Sequence, residues 1–189
     1  MFKTPNGIQY VDECCNLILP WYTKPCLDSI LKMDYKSWDV FEWGGGCSTV
    51  WYSMNCKSVD TLENDESWAV EISNYLDNNV KKNYTMKVIE CPMSANSYHP
   101  NQDIYLNYIE SLDKKWDCII IDGSFRADAL KVSEKYVKKG GLIIFDNYCQ
   151  DSSGYPDLPN KDYFNSKYEH EIFEQPERDY WKTAIWYIK

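Results

Sequence analysis

Long apolar runs are missing from this sequence. No window approaches the roughly 18 apolar residues that a membrane-spanning helix needs. Residues 1–7 do not combine a positive charge with a following apolar stretch, so we expect no secretory signal. The eight cysteines form no Cys-x-x-Cys pair, which argues against a disulfide framework and a zinc site. Together these absences predict a cytoplasmic protein that works in a reducing compartment.

Basic residues are also scarce. The chain has 20 lysines and arginines against 29 aspartates and glutamates, which gives a net charge of −9. Such a chain repels the phosphate backbone of nucleic acids and the anionic surface of membranes. We therefore expect neither a nucleic-acid partner nor a membrane partner.

Apolar and aromatic residues are plentiful by contrast. Hydrophobic residues make up 44% of the 189 residues and aromatic residues 16%, far too many for a disordered chain. A chain of this length fits one domain, and it contains neither an internal repeat nor a linker. We expect a single domain over residues 1–189, with a helical N-terminal cap over 1–35 and a core over 36–189.

Short β-branched runs alternate with segments of helical periodicity along the core. This alternation is typical of an α/β protein with a doubly wound, mainly parallel sheet. Two further alternating runs near the end of the chain predict a terminal antiparallel hairpin, which brings the sheet to seven strands. The predicted strands are 39–43, 58–63, 86–91, 117–122, 142–146, 168–173 and 183–188.

Helices are predicted between the strands from the spacing of apolar residues. One begins near Asp65, a second covers 104–112, and a third covers 129–137. The third is predicted to end at Gly140-Gly141, since glycine adopts the left-handed conformation that closes a helix. Residues 151–166 are rich in Ser, Pro, Asn and Asp, and they predict a long surface loop that is a candidate lid.

Three consecutive glycines follow the first predicted strand, in the segment 40–49 (VFEWGGGCST). Glycines let a ligand approach the backbone and leave helix N-terminal N–H groups available to it. A dinucleotide-binding fingerprint would also have Gly at position 49, where this chain has Thr49. A second acid, Glu63, ends the second strand, where a carboxylate can accept both hydroxyls of a ribose. The alternatives are a tight turn without a ligand and a Glu63 that is solvated or caps a helix.

These residues, together with Ile121-Asp122-Gly123 and the segment 140–147, resemble the class I S-adenosylmethionine-dependent methyltransferases. The resemblance covers about residues 38–189. It implies a Rossmann-like fold that ends in an antiparallel hairpin, S-adenosylmethionine as cofactor, and methyl transfer as the reaction.

The resemblance also implies roles for individual residues. Gly44 and Gly46 would pass under the methionine part of the cofactor, and Glu42 and Ser48 would orient its polar groups. Cys91-Pro92 would lie near the adenine. The full set of candidate cofactor contacts is Glu42, Gly44, Gly45, Gly46, Ser48, Thr49, Glu63, Asn64, Cys91, Pro92 and Asp122.

A candidate metal site is formed by Asp122, Asp146 and Asn147, at the ends of the fourth and fifth predicted strands. Adjacent parallel strands would bring these oxygens together, and magnesium prefers oxygen ligands. The arrangement resembles catechol-type and some sugar O-methyltransferases, in which the cation lowers the pKa of the acceptor hydroxyl. The alternative is that Asp122 contacts the cofactor amine while Asp146-Asn147 forms an ordinary turn.

The base that metal-dependent relatives carry after the fourth-strand Asp is missing here. The sequence at this point reads Gly123-Ser124-Phe125-Arg126. Arg126 can hold an anionic or hydroxyl-rich acceptor, but it stays protonated and cannot act as a base. Asp122 and His99 remain as candidate bases, and the alternative for His99 is an ordinary surface residue.

The acceptor is the least constrained part of the prediction. We expect methyl transfer to a hydroxyl of a sugar, a glycan or another small molecule, because the F-E-W-G and I-D-G-x-x-R segments resemble carbohydrate-modifying methyltransferases. Rings near the chain start and in loops could stack on such an acceptor, or simply pack in the core. The candidate rings are Trp21, Tyr22, Tyr98, Tyr155 and Tyr163.

Two other functions stay open. A cofactor-binding module that has lost catalysis is favoured by the missing base after Asp122. A nicotinamide-dependent oxidoreductase is disfavoured by Thr49. Nucleic-acid methylation is also disfavoured, because no Asp/Asn-Pro-Pro-Tyr/Phe motif follows the fourth predicted strand.

Overall fold

The computed structural model describes residues 18–79, 83–91, 100–148, 161–176 and 178–189. Within these residues the chain forms six helices and seven strands. The helices are α1 (Lys24–Ile30), α2 (Cys47–Asn55), α3 (Glu66–Asn79), α4 (Gln102–Ser111), α5 (Arg126–Ser133) and α6 (Lys161–Lys167). The strands are β1 (Asp39–Trp43), β2 (Ser58–Glu63), β3 (Tyr84–Val88), β4 (Trp116–Ile121), β5 (Val137–Phe145), β6 (Glu169–Gln175) and β7 (Arg178–Tyr187). No helix in this part of the chain is long and apolar enough to cross a membrane.

The seven strands form one sheet in the order β3-β2-β1-β4-β5-β7-β6. Strands β1 to β5 run parallel to one another, whereas β7 runs antiparallel to both β5 and β6. The predicted mainly parallel, seven-stranded sheet with a terminal antiparallel hairpin is confirmed. The strand order reverses between β1 and β4, and in sheets of this kind ligands bind beyond the carboxyl ends of the strands at such a reversal.

Both faces of the sheet are covered, because alternate residues of the central strands pack into different cores. Phe41 and Ile119 pack on one face with apolar residues of α4 and α5. Val40 and Ile120 pack on the other face with residues of α1 and α2. Burial on both faces explains why the central strands appear in the sequence as continuous apolar runs.

Trp43, the last residue of β1, is fixed by contacts on several sides. Its ring centroid lies 5.1 Å from that of Phe41 and 5.3 Å from that of Tyr105. Its indole N–H donates to the hydroxyl of Ser133 at 2.8 Å, which satisfies a buried donor. The strand end that precedes the three glycines is therefore held rigidly.

Charged residues gather at the opposite, amino edge of the sheet. Asp39, at the start of β1, accepts hydrogen bonds from Ser58 at 2.6 Å, Lys57 at 3.0 Å and Lys138 at 3.2 Å. Lys138 also pairs with Asp117 at 2.8 Å. These contacts join the starts of three neighbouring strands, β2, β1 and β4, to β5.

The prediction that the third helix runs to Gly140-Gly141 is wrong. Helix α5 ends at Ser133, and both glycines lie inside β5. A Cβ on Gly141 would lie 2.5 Å from the carbonyl oxygen of Asp117, so this glycine permits close approach to β4. Gly140 does have a positive φ of 81°, but it occurs in a strand whose pairing with β4 shifts in register. A left-handed glycine therefore marks a strand irregularity here and not a helix end.

The predicted loop over residues 151–166 is also wrong in part, since residues 161–167 form α6. Residues 151–160 lie outside the described residues. The third strand begins two residues earlier than predicted and ends at Val88. Of the N-terminal cap predicted over 1–35, the structure describes residues 18–35, which contain α1. The division of the chain into cap and core stays a prediction.

Candidate functional site

A cavity of about 890 Å³ opens at the carboxyl edge of the sheet, where the strand order reverses between β1 and β4. Its wall is formed by the segments after β1, β2, β4 and β5, by the start of α3, by residues of β7 and by Trp21. Small-molecule sites in proteins have volumes of roughly 300–1,000 Å³. The cavity is therefore large enough for a cofactor, and it lies where a sheet of this topology binds one.

The first glycine of the turn, Gly44, is required by its contact with Gly123. Gly44 has φ +85°, and a Cβ there would lie 2.4 Å from the Cα of Gly123. A Cβ on Gly123 would in turn lie 2.7 Å from the backbone nitrogen of Gly44. The backbone turns after β1 and β4 are therefore in direct contact, and neither position has room for a side chain.

Gly46 is a glycine for another reason. Its φ of 179° is open to any residue, and a Cβ there would meet nothing closer than the Ser48 hydroxyl, at 4.0 Å. Gly46 lines the cavity, so it keeps space open for a ligand. Its N–H already donates to the Thr49 hydroxyl at 2.9 Å, and that of Gly45 donates to Glu63 at 2.6 Å. The turn thus offers a ligand open space, whereas the N–H groups of Gly45 and Gly46 are already paired within the protein.

Glu42 lies behind this turn. It is fully buried, and it accepts hydrogen bonds from the hydroxyls of Ser48, Thr49 and Thr61. Burial raises the pKa of Glu42 to about 8, although the three hydroxyls oppose the shift. The side chain ties the first turn of α2 to β1 and β2, and among these four residues only Ser48 lines the cavity.

Glu63, at the end of β2, lies on the cavity wall with 5% of its surface exposed. One carboxylate oxygen accepts the N–H of Gly45, and the other accepts the N–H groups of Asn64 at 2.7 Å and Asp65 at 2.9 Å. Burial raises its pKa against the effect of these hydrogen bonds. Asn64 beside it accepts a hydrogen bond from Ser124 at 3.0 Å, which links the segments after β2 and β4.

Arg126 joins the segments after β4 and β5. Its guanidinium makes a 2.8 Å ion pair with the carboxylate of Asp122. It also donates to the backbone carbonyls of Gly123 at 3.0 Å, Asp122 at 2.7 Å and Asp146 at 2.6 Å. Only 9% of the side chain is exposed. Arg126 therefore supplies a fixed positive charge at the base of the cavity.

Asp146 lies next to this cluster. Its carboxylate accepts hydrogen bonds from the hydroxyl of Thr183 at 2.8 Å and from the indole of Trp181 at 3.2 Å. Burial, and then the neighbouring Asp122, raise the pKa of Asp146. Both acidic side chains thus contribute to the wall, together with Asn147.

These residues do not fit a divalent cation between Asp122 and Asp146. The guanidinium of Arg126 already provides the positive charge beside Asp122. The carboxylate of Asp146 is likewise held by the hydroxyl of Thr183 and the indole of Trp181. The predicted magnesium site at Asp122, Asp146 and Asn147 is not supported, and we derive no step from it.

Comparison with known proteins shows similarity in fold only. No protein-family model matches the sequence, and no curated protein matches it. An rRNA methylase from Streptococcus thermophilus aligns with a TM-score of 0.64 at 13% identity, over 90% of this chain and 100% of that one. The O-methyltransferase from Bacillus cereus, in complex with SAH, aligns with a TM-score of 0.61 at 15% identity, over 80% and 74%. The O-methyltransferase TomG from Streptomyces achromogenes, in complex with SAM, has a TM-score of 0.60 at 13% identity, over 80% and 73%.

This chain has the class I methyltransferase fold. The resemblance predicted from the residues is thereby confirmed for the fold. Within the methyltransferase fold, most of the predicted site residues come together on one cavity wall. The residues that do so are Gly44, Gly45, Gly46, Ser48, Glu63, Asn64, Asp122, Arg126, Asp146 and Asn147.

The other predicted residues are placed elsewhere. Glu42, Thr49 and Cys91 are buried and do not line the cavity. The carbonyl of Cys91 accepts a 3.3 Å hydrogen bond from Asn64, so it contacts the wall only indirectly. Pro92 and His99 lie outside the described residues.

Among the three described rings that were candidates for stacking on an acceptor, only Trp21 lines the cavity. For Tyr22 the alternative holds, because this ring is fully buried in the core with α1 and α2. Tyr163 lies on α6 and is not part of the cavity wall. Tyr98 and Tyr155 lie outside the described residues.

Sequence reasoning missed Trp68, Arg178 and Trp181 as wall residues. Trp68 is spaced for the apolar face of α3, yet its indole N–H donates to the carbonyl of Gly45 at 2.7 Å. Its place in the first turn after the acid Glu63 is the signal that could have identified it. Arg178 and Trp181 carry no such signal, because they reach the cavity only through the pairing of β7 with β5.

Proposed function

We propose that this protein is an S-adenosylmethionine-dependent methyltransferase that transfers a methyl group to a hydroxyl of a sugar, a glycan or another small molecule. One observation carries the proposal. An open glycine turn after β1 and a buried carboxylate after β2, Glu63, share one cavity at the reversal of strand order. Two solved proteins with this fold hold SAH and SAM, which supports the same cofactor here.

The cavity residues fit this cofactor. Glu63 is oriented by three backbone N–H groups, and its carboxylate keeps acceptor capacity for a ribose hydroxyl. The open space at Gly46 leaves room for the methionine part of the cofactor. Asp122 offers a carboxylate for the methionine amine. When bound, the cofactor supplies a methyl group on a sulfonium. The protein then has to align an acceptor oxygen with that methyl group and exclude water.

A small acceptor is favoured over RNA, although solved proteins of this fold include rRNA methylases. The chain has a net charge of −9. The cavity wall also carries five carboxylates, those of Glu63, Asp65, Glu71, Asp122 and Asp146. A phosphate backbone would be repelled by this surface. A sugar or glycan acceptor rests on the resemblance of the F-E-W-G and I-D-G-x-x-R segments.

We assign removal of the acceptor proton to a side chain and not to a metal-bound site. Asp122 lies on the wall, and His99 is the other candidate base. A carboxylate or a neutral imidazole can accept a proton from a hydroxyl that is held within hydrogen-bond distance. For Arg126 we propose a positioning role, because its guanidinium holds three backbone carbonyls and Asp122 in place.

The cofactor assignment is tested by titration calorimetry with S-adenosylhomocysteine. Glu63→Gln keeps the shape of the side chain but removes its charge, and each charge-assisted hydrogen bond contributes about 1.5–3 kcal/mol. We expect the variant to bind at least about tenfold more weakly than the wild type. Glu110→Gln, an exposed glutamate on α4, is the matched control and should bind like the wild type.

Two results would separate the competing functions. Equal affinity of the wild type and Glu63→Gln, with both variants folded, would overturn the cofactor assignment. Tight binding of S-adenosylhomocysteine, with no methylated product detectable by mass spectrometry across oligosaccharide and small hydroxyl acceptors, would instead favour the binding module without catalysis.

A further inference from the structure

A second group of wall residues comes from β7 and from the segment before α1, and three strands of the sheet separate β7 from β2, which ends in Glu63. It consists of Trp21, which precedes α1, and of Arg178 and Trp181 on β7. Two hydrogen bonds hold these distant segments together. The N–H of Thr23 donates to the hydroxyl of Thr183 at 3.1 Å, and the N–H of Lys24 donates to the side chain of Gln175 at 2.8 Å.

The two indoles meet edge to face. Their ring centroids are 6.4 Å apart, and the ring planes are inclined by 80°. Trp181 is 8% exposed and is held by its hydrogen bond to Asp146. Trp21 is half-buried on the wall. The partly exposed ring of Trp21, supported by the buried ring of Trp181, gives an aromatic surface against which a ring can pack.

Arg178 gives this part of the wall its charge. Its guanidinium lies 5.9 Å from the ring centroid of Trp181, and the side chain is exposed. No carboxylate among the described residues forms an ion pair with it. The other cation of the wall, Arg126, is almost fully buried and paired with Asp122. Arg178 is therefore the cation of the described wall that a ligand can reach.

We propose that Trp21, Trp181 and Arg178 form the acceptor subsite, and that this subsite selects a hydroxyl-bearing ring with an attached carboxylate. The ring packs against the indoles, and the carboxylate pairs with the guanidinium of Arg178. Uronic acids and hydroxybenzoates share this chemistry. The inference rests on the proposed methyltransferase function, because the cofactor occupies the glycine end of the same cavity.

The location of Arg178 in an acidic wall supports selection by charge. The wall carries five carboxylates against two guanidinium groups, and one of these, Arg126, is paired with Asp122. The remaining negative charge repels an anionic ligand, so a carboxylate is favoured where the exposed Arg178 offsets it. A guanidinium can also pair with a carboxylate through two parallel hydrogen bonds, which orients the ring as well as binding it.

The test uses protein saturated with S-adenosylhomocysteine and two matched pairs of probes. The first pair is p-nitrophenyl β-D-glucuronide and p-nitrophenyl β-D-glucoside, and the second is 3,4-dihydroxybenzoate and catechol. Calorimetry should show that the wild type binds the acid of at least one pair about tenfold or more tightly than the neutral partner, as one charge-assisted hydrogen bond predicts. The pair that shows the preference distinguishes a sugar acid from an aromatic acid.

Variants then assign the preference to residues. Arg178→Gln should abolish it, and Arg178→Lys should restore part of it. Lys32→Gln, which removes an exposed cation beyond α1, is the matched control and should leave it unchanged. Trp21→Ala should weaken the acid and the neutral probe alike, because it removes the surface for the ring and not the charge.

Three outcomes would overturn the inference: no preference for either acid, a preference that survives in Arg178→Gln, or a loss of S-adenosylhomocysteine affinity in Arg178→Gln. The last outcome would mean that Arg178 holds the carboxylate of the cofactor. A wild type that does not bind S-adenosylhomocysteine at all would contradict the proposed function itself.

Discussion

Gly44 and Gly46 stand two positions apart in the same turn, yet the protein's own contacts require glycine only at Gly44. Gly44 combines a left-handed backbone with a backbone contact to Gly123. Gly46 has an extended backbone and faces the cavity. The sequence pattern alone does not distinguish these causes, because both residues simply match a glycine motif. Packing explains the first glycine, whereas we propose that ligand binding explains the third.

This difference predicts that one alanine variant loses stability and the other loses ligand affinity. Gly44→Ala should lower the free energy of unfolding by on the order of 3 kcal/mol, from left-handed strain and overpacking against Gly123. For Gly46→Ala, the free energy of unfolding should lie within about 0.5 kcal/mol of the wild-type value. The added methyl group would intrude on the ligand, so S-adenosylhomocysteine binding should weaken about tenfold. Urea denaturation and calorimetry measure the two effects. A stable Gly44→Ala, or a Gly46→Ala with wild-type affinity, would contradict the assignment.

At the scale of elements, the segments after β1, β4 and β5 are joined into one unit. Gly44 and Gly123 bring the first two into contact, and Arg126 bonds the carbonyls that follow β4 and β5. Phe125 and Asn147 have φ values of 52° and 55°, which turn the chain sharply at both strand ends. The floor of the cavity is therefore held by backbone contacts and a single guanidinium.

We predict that Arg126 contributes to stability and that magnesium does not. Arg126→Gln would leave Asp122 without its cation and three carbonyls without their donor, which should cost about 3–5 kcal/mol of unfolding free energy. Arg178→Gln removes the exposed arginine of the same cavity and should cost less than about 0.5 kcal/mol. Thermal unfolding of the wild type should be the same with magnesium and with EDTA. A midpoint that magnesium raises markedly would restore the metal site at Asp122 and Asp146.

How far the sequence predicted these elements depended on how local the determining contacts are. Strands β1 and β2 were predicted with their observed ends, since apolar runs bounded by turn residues mark them clearly. The helix end predicted at Gly140-Gly141 was wrong, because the close approach of Gly141 to Asp117 is a contact between strands that local periodicity does not reveal. The position of Arg178 likewise depends on strand pairing. The end of the cavity at the glycine turn and Glu63 could be predicted from motifs, whereas the end at Trp21, Arg178 and Trp181 could not.

Over the whole molecule, the pKa values of buried acids shift in opposite directions at the two edges of the sheet, as Asp39 and Glu42 show. At the amino edge, hydrogen bonds from Ser58, Lys57 and Lys138 overcome the effect of burial and hold the pKa of Asp39 well below its ordinary value. Near the cavity, burial dominates and raises the pKa of Glu42 to about 8. The first acid favours the folded state when it is ionised, and the second favours it when it is protonated.

The sign of each pH effect follows from the protons that each state binds. Below an unfolded pKa of about 3.9, the unfolded chain protonates Asp39 while the folded chain resists, so stability falls as the pH drops. Between about 4.3 and 8, the folded chain keeps a proton on Glu42 that the unfolded chain releases, so stability falls as the pH rises. Taken together, these two groups place the greatest stability near pH 4–5, between the decline at lower pH and the decline at higher pH.

Two variants should each remove the pH dependence that one of these acids contributes. Glu42→Gln keeps the shape of the side chain and cannot ionise, so its unfolding free energy should lose the decline that Glu42 contributes between pH 5 and 8, up to about 1.4 kcal/mol per pH unit. Asp39→Asn should be less stable than the wild type at neutral pH, because Lys57 and Lys138 lose their shared carboxylate, and the gap should close as the pH falls below about 4. Urea denaturation from about pH 3 to 9 measures both declines. Curves for Glu42→Gln and the wild type that run parallel above pH 5 would show that Glu42 is ionised in the folded protein, and its buried contacts with Ser48, Thr49 and Thr61 would then have to stabilise a carboxylate.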